Sequence, residues 1–420
     1  MSSPTTVRYS IVLLALGVNL ICYTDRSCVS IAGPRMAAEF GFSPTQMGLV
    51  YSIFSLSYFL GQTPWGIAAD RWGARGLVTM AILGWSAFTA LTAAAWSFSS
   101  LLAIRFLFGA LEAALSPSVA AAFGRWIPVA ERSSAFGFFL GGGRLGAAIT
   151  PFFAAGILAQ HGWRVMFCVF GSLGIAAAVA WYLWFRNSPD EHSFVNELEA
   201  ESIRARIAPV SSGPPVKPPW SELLRSGRLW SLLGVAFGCT FMWQFYITWF
   251  PTYLMEERKM PLEESARYAG LPFLFGVFAT WLGGLLTDAL ARRYEPRTAR
   301  RLIGTVSLTM GGLLLSAGIW CEEPRLAAVL MASGALGVDL FLGAAWASAL
   351  DIGGASGGAV AGLMNAASNF AGFVSPVFNG WVIQTWRNWN IFLIVAVAVN
   401  LAAAVLWLRV NPRNPRAAKS

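Results

Sequence analysis

The feature that most restricts this chain is a series of long stretches without a single charged side chain. They cover residues 40–69, 76–104, 165–185, 229–255, 268–287, 302–321, 352–386 and 388–408. A helix needs about 20 apolar residues to cross the hydrocarbon core of a bilayer, and each stretch can supply them. The run from 352 to 386 has room for a loop or re-entrant end as well. Four more segments are apolar apart from one or two charges: 9–34 with Asp25 and Arg26, 102–124 with Arg105 and Glu112, 133–160 with Arg144, and 326–350 with Asp339. Together they predict twelve membrane-spanning helices. Prolines at 64, 117, 151, 251, 272 and 376 would break soluble helices; in a membrane bundle, neighbouring helices re-satisfy the backbone.

Composition supports the same reading. Hydrophobic residues make up 56% of the chain and charged residues 12%, about half the charged share of a soluble domain. The net charge of +9 would suggest nucleic acid for a soluble protein, but the basic residues are spread over several loops and a tail, without the clustered face such binding needs. With both termini on the cytoplasmic side, roughly twenty Lys and Arg fall inside and seven outside, which satisfies the positive-inside rule. The apolar run from Ile11 meets Asp25-Arg26 with no small-residue cleavage site, so it is expected to be the first span and not a signal peptide. Five scattered cysteines and two histidines, His161 and His192, argue against a disulfide framework, a metal site or histidine-based catalysis. No cofactor and no enzymatic activity are expected.

The longest polar stretch, Asn187 to Arg228, contains SSGPPVKPP. It divides the chain into an N-terminal six-helix bundle (1–186), a cytoplasmic linker (187–228) and a C-terminal six-helix bundle (229–420). A weak repeat supports the division: Gly66-Ile-Ala-Ala-Asp70-Arg71 recurs as Gly284-Leu-Leu-Thr-Asp288, 218 positions later. Two six-helix repeats about a central site are a transporter architecture.

The residues Gly66-xxx-Asp70-Arg71-Trp72-Gly73-Ala74-Arg75 resemble the loop motif between helices two and three of the major facilitator superfamily. Within it the chain is similar to the anion:cation symporters, which include bacterial sugar-acid (hexuronate, galactonate) proton symporters and the sialin and vesicular glutamate relatives. The matching pieces are Tyr23-Thr-Asp25-Arg26, Arg105-FLFGAL-Glu112, Gly162-Trp163-Arg164, Ser188-Pro-Asp-Glu-His192, Trp249-Phe-Pro251-Thr-Tyr253-Leu254, and Gly362-Leu-Met-Asn365-xxx-Asn369 through Pro376. They run nearly end to end. The resemblance implies an all-α membrane protein of the major facilitator fold, in a bacterial inner membrane, that moves an organic anion with protons.

A charge at membrane depth is costly and is a functional hypothesis by default. Arg105 and Glu112 are two turns apart on one helix face, while Asp25 and Arg26 point about 100° apart. The expectation gives Arg26 to the substrate anion, with Tyr23 on the same face, and Asp25 to the charges of helix four. Asp25 and Glu112 are the candidate proton carriers, and Arg105 the switch between them; a static ion-pair network is the alternative. Arg144 departs from the related sugar-acid transporters, which carry a neutral polar side chain in this part of helix five. It serves either a second anionic group on the substrate or an acid such as Asp339. Gln244, Tyr246, Trp346, Ser348, Asn365 and Asn369, joined by Tyr58 through the resemblance, offer hydrogen bonds and aromatic faces for a polyhydroxylated ligand. The same residue types also bond between membrane helices. Gly66, Asp70, Arg71 and Arg75, with Asp288 and Arg292, are candidate cytoplasmic gate elements. Trp126 and Trp220 are read as interfacial anchors.

The function these features predict is proton symport of a sugar acid or related carboxylate by a monomer. An anion exchanger or facilitator, and a dicarboxylate or aromatic-acid symporter, are the alternatives. An anion sensor fits least, because a linker of about forty residues is small for a signalling module.

Overall fold

The computed structural model describes residues 5–128, 131–206, 220–291, 293–353 and 357–410. Among them every regular element is helical. Lipid offers the backbone no hydrogen bonds, so each crossing segment must satisfy its own N–H and C=O groups.

The helices are α1 (Val7–Phe40), α2 (Pro44–Trp72), α3 (Ala74–Thr92), α4 (Phe98–Glu112), α5 (Leu115–Trp126), α6 (Arg132–Trp184), α7 (Glu197–Arg206), α8 (Trp220–Leu224), α9 (Gly227–Thr248), α10 (Phe250–Glu256), α11 (Leu262–Ala269), α12 (Leu271–Ala291), α13 (Pro296–Trp320), α14 (Pro324–Gly353), α15 (Gly357–Trp386) and α16 (Trp389–Trp407). Eight helical stretches among the described residues are long and apolar enough to cross a membrane. One of them is the 51-residue stretch Ser134–Trp184, which Gly162 divides by adopting φ 80°, a left-handed conformation open to glycine at little cost. Pro251 comes just after the break at Trp249 and removes one donor where α10 restarts. At α4, Ser97 and Ser100 cap each other's backbone N–H groups across the turn. The chain is an integral, multi-pass, all-α membrane protein.

Two compact units emerge, Met1–Ala32 with Ile53–Gly213, and Gly33–Ser52 with Pro214–Ser420. This differs from a division by chain order in one place: the end of α1 and the start of α2 pack with the C-terminal helices. The contacts are backbone-close. A Cβ on Gly48 would lie 2.4 Å from the Pro376 carbonyl oxygen, and one on Gly380 2.2 Å from that of Pro44. Tyr51 meets Trp249 edge-on at 5.3 Å, and the Trp249 indole N–H donates to Pro376 O at 3.1 Å.

Within the first unit, α6 approaches α1 in the same way. Gly142 and Gly146 leave no room for a Cβ beside the Leu16 and Leu20 carbonyls, the small-residue packing that membrane helices use in place of a hydrophobic driving force. Trp85, Phe123, Trp126, Phe139 and Trp181 fill the core of this unit. Trp126 is therefore no interfacial anchor: it is fully buried, and its N–H donates to Arg186 O at 2.8 Å. Trp220 is exposed.

Candidate functional site

The charges of α1 and α4 converge in the first unit, against aromatic rings of α2. Arg26 on α1 forms an ion pair with Glu112, the last residue of α4, through both Nε and Nη2. Glu112 is fully buried, and its second oxygen has no hydrogen-bond partner. Three rings surround the guanidinium: Tyr23, one turn back on α1, at 4.7 Å, Phe54 at 4.7 Å and Tyr58 at 4.9 Å, the last two on α2. A guanidinium stacked on aromatic faces and forked onto a carboxylate is held in one orientation. The Tyr58 hydroxyl lies 3.4 Å from that of Ser116.

Arg105 is buried on α4. Its guanidinium carbon lies 4.5 Å from the Phe108 ring centre and 5.5 Å from that of Phe54. It makes no ion pair among the described residues, and its Nε has no hydrogen-bond partner. Asp25 is buried too, and neither of its carboxylate oxygens has a hydrogen-bond partner. The polar groups beside it, Trp85 and Thr89, belong to α3. Glu112 on α4 thus takes Arg26, while Asp25 lies beside α3 and remains within electrostatic reach of Glu112 and Arg105. The two residues do face about 100° apart, but the rotation of α1 against α4, fixed by packing, decides which one meets the acid.

Phe54 was missed by sequence reasoning, as were Trp85 and Thr89. Phe54 and Tyr58 are four residues apart on α2 and so share a face. That spacing was the available signal. Arg144 on α6 is half-buried and Asp339 on α14 is buried, with one oxygen lacking a hydrogen-bond partner.

In the second unit two of the expected ligand contacts bond between helices. The Tyr246 hydroxyl donates to Met331 O at 2.7 Å, and Gln244 Nε2 donates to Gly372 O at 3.1 Å. Both are buried. The Ser348 hydroxyl is buried without a hydrogen-bond partner. Asn365 and Asn369 sit one turn apart on α15, and Asn369 Nδ2 donates to Asn365 O at 2.9 Å. Trp346 is 43% exposed.

Of the candidate gate residues, Gly66 would bring an added Cβ to 3.9 Å from Pro117 Cβ and Arg71 is exposed. Arg75 joins the start of α3 to the end of α6: its Nε donates to Tyr182 O at 3.0 Å, its guanidinium stacks on the Tyr182 ring at 4.3 Å, and its backbone N–H donates to Asn187 Oδ1 at 3.0 Å. Arg292 and the side chains of Asp70 and Asp288 lie outside the described residues. Among the described residues, no three His, Cys, Asp or Glu side chains cluster as metal ligands would.

Comparison with known proteins bears on the family and the fold. The sequence matches the profile of the Major Facilitator Superfamily over residues 15–376. It is 32% identical over 393 residues to a probable sulfoacetate transporter, SauU, of Cupriavidus necator, covering 93% of this chain and 91% of the relative. It is 29% identical to a probable L-galactonate transporter of Escherichia coli, covering 96% and 89%, and 29% identical to a hexuronate transporter of Bacillus subtilis, covering 95% and 94%. The fold is that of a bacterial homologue of the human lysosomal transporter Spinster, solved inward-facing and occupied. The TM-score is 0.80 at 18% identity, covering 97% of each chain.

Proposed function

The chain belongs to the Major Facilitator Superfamily, and on that premise we propose that it is a proton-coupled symporter that brings a small organic anion inward by alternating access across a bacterial inner membrane. The relatives above are named as a probable sulfoacetate transporter, a probable L-galactonate transporter and a hexuronate transporter. Those anions are all small carboxylates, and sugar acids remain the first substrate class to test.

The observation that carries the proposal is the Arg26–Glu112 ion pair. A guanidinium binds a substrate carboxylate or sulfonate through the same fork that now holds Glu112. An anion that takes Arg26 leaves Glu112 a buried carboxylate without its partner, and a low-dielectric interior stabilises that group best as the neutral acid. Anion binding and proton uptake then favour each other, which is the thermodynamic requirement for symport. Arg105, on the same helix as Glu112, is the candidate switch between the two buried acids. Asp25 is a second buried acid on the helix that carries Arg26. Asn365, Asn369 and Ser348 remain candidate hydrogen-bonding groups for a hydroxylated substrate, whereas Tyr246 and Gln244 are committed to neighbouring backbone carbonyls.

The test is proton entry into proteoliposomes loaded with a pH-sensitive dye, challenged in turn with hexuronates, aldonates, aldarates and sulfoacetate. Acidification of the lumen by one of these anions supports both substrate class and coupling. Exchange of a labelled anion with no proton signal would overturn symport and make the protein an exchanger.

A further inference from the structure

The segment Asn187–His192 takes no part in the charge network of the membrane interior, yet it is densely hydrogen-bonded within the first unit. Asn187 Oδ1 accepts from the Arg75 backbone N–H in the first turn of α3. Ser188 Oγ accepts from Asp190 N at 3.3 Å and opens a 3-10 turn over Pro189–Glu191. His192 is buried against Trp184, Trp126 and Phe194, with ring centres 5.2, 5.7 and 6.0 Å away. Its Nδ1 accepts from Phe194 N at 3.3 Å, so the imidazole is held in its neutral form.

Seven residues on, Glu199 caps another helix. The first N–H groups of α1 have no partner within that helix. Glu199, fully buried in the first turn of α7, supplies one: Oε2 accepts from Val7 N at 3.1 Å and the Thr5 hydroxyl at 2.6 Å, and Oε1 accepts from Arg8 N at 3.1 Å. Asn196 Oδ1 accepts from Thr5 N at 3.2 Å and from Glu199 N at 2.9 Å, and Asn196 N donates to Thr5 Oγ1 at 3.1 Å. The starts of α1 and α7 therefore cap each other. Trp184, one wall of the histidine box, also donates through its indole N–H to Ser10 on α1 at 2.8 Å.

We propose that this assembly is a proton-sensitive clamp on α1: neutral His192 seats the 187–199 segment so that Glu199 holds the start of the helix, and protonation of His192 releases it. A protonated imidazole donates from both nitrogens, so Nδ1 can no longer accept from Phe194, and a charge is left in a largely apolar box. Burial and the neighbouring Arg186 guanidinium push the His192 imidazole below its ordinary value of 6.5, against smaller opposing effects from its bond to the Trp184 backbone and from Glu199. Among the charges on the neighbouring segments, Arg8 pairs with Glu131 and Arg204 with Asp190, while Glu191 and Arg125 are exposed. The seated segment therefore binds fewer protons than the released one. Its stability is complete above the ordinary histidine value and is lost progressively as the pH falls below it. Because α1 carries Asp25 and Arg26, the clamp links the pH at the N-terminal face to the helix that holds the charge network. Any effect on transport rests on the symport reading; the clamp itself does not.

The test is hydrogen–deuterium exchange of the full-length protein in nanodiscs, read at the Val7 and Arg8 amides and corrected for intrinsic rates. Between about pH 7.5 and pH 5.5 both amides should lose protection by roughly tenfold. His192→Asn keeps an acceptor near the Nδ1 position but takes no proton, and should change less than about twofold. Unchanged protection in the wild type overturns the proposal, as does an equal loss in His192→Asn, which would assign the effect to the Glu199 carboxylate. Should His192→Asn already be unprotected near neutral pH, Arg186→Gln decides. Removing the opposing cation should move the release midpoint upward by about half a pH unit, and an unmoved midpoint overturns the proposal.

Discussion

Arg26 and Glu112, 86 positions apart, form an ion pair inside the first unit, with three aromatic rings around the guanidinium. Arg105, seven residues from Glu112 on the same helix, does not pair with it. The network is thus organised around an inter-helix bond between α1 and α4, and a substrate anion competes for one member of that bond. Four consequences of the structure can be measured, two at this pair and two elsewhere.

Glu112→Gln keeps the shape of the side chain and removes its charge. Arg26 then loses its internal counter-ion but remains open to an external one. Labelled-anion exchange at equal pH should stay within about threefold of wild type, while anion-driven luminal acidification falls to background. Persistent acidification would exclude Glu112 as the coupling group.

Arg26→Lys preserves the charge but loses the planar fork and its stacking on Tyr23, Phe54 and Tyr58. Ammonium and guanidinium are not interchangeable at such a site. The half-saturating anion concentration in counterflow should rise by about 10- to 100-fold, equivalent to roughly 1.4–2.8 kcal/mol. An unchanged value would move the anion site away from Arg26.

Tyr246→Phe removes the hydroxyl that donates to Met331 O and leaves that carbonyl short of a partner. The cost is about 1–3 kcal/mol of stability. Thermal unfolding in detergent should therefore occur several degrees lower, with the half-saturating anion concentration unchanged. A shift in that concentration at constant unfolding temperature would return Tyr246 to the ligand contacts.

Gly380→Ala places a methyl group against the Pro44 carbonyl, where the ideal Cβ position is only 2.2 Å away. Thr45 N, which donates to Gln384 Oε1 at 3.4 Å, should be displaced with the start of α2. Oxidative cross-linking of Thr45→Cys with Gln384→Cys should proceed readily on the wild-type background and about tenfold more slowly with Gly380→Ala. Equal cross-linking would show that α15 yields to the methyl group.

Much of the fold was legible because lipid imposes a simple rule. Runs such as 76–104 and 388–408 carry no charge, and a crossing backbone must satisfy itself. Helix α16 lies inside the second run, and all of α3 but its first two residues, Ala74 and Arg75, lies inside the first. The break before Trp163 was legible as a motif, and Gly162 at φ 80° supplies its physical cause. Trp126 was misread: a tryptophan near a span end looks the same in sequence whether it meets the interface or, as here, donates to the Arg186 carbonyl inside the core.

The sequence by itself determined that this chain is helical, crosses the membrane many times and buries arginines and carboxylates on two helices of its N-terminal half. Each of those conclusions depends only on local composition and on the 3.6-residue period of a helix. The tertiary structure decided which buried acid meets which arginine, which tyrosine hydroxyl is already spent, and where the start of α2 packs. These outcomes depend on how each helix is rotated and shifted against its neighbours, and side-chain-free surfaces such as Gly142 and Gly146 against the Leu16 and Leu20 carbonyls set that placement. A rotation of about 100° separates adjacent residues on a helix. That single angle decides whether Arg26 or Asp25 is the α1 residue that meets Glu112.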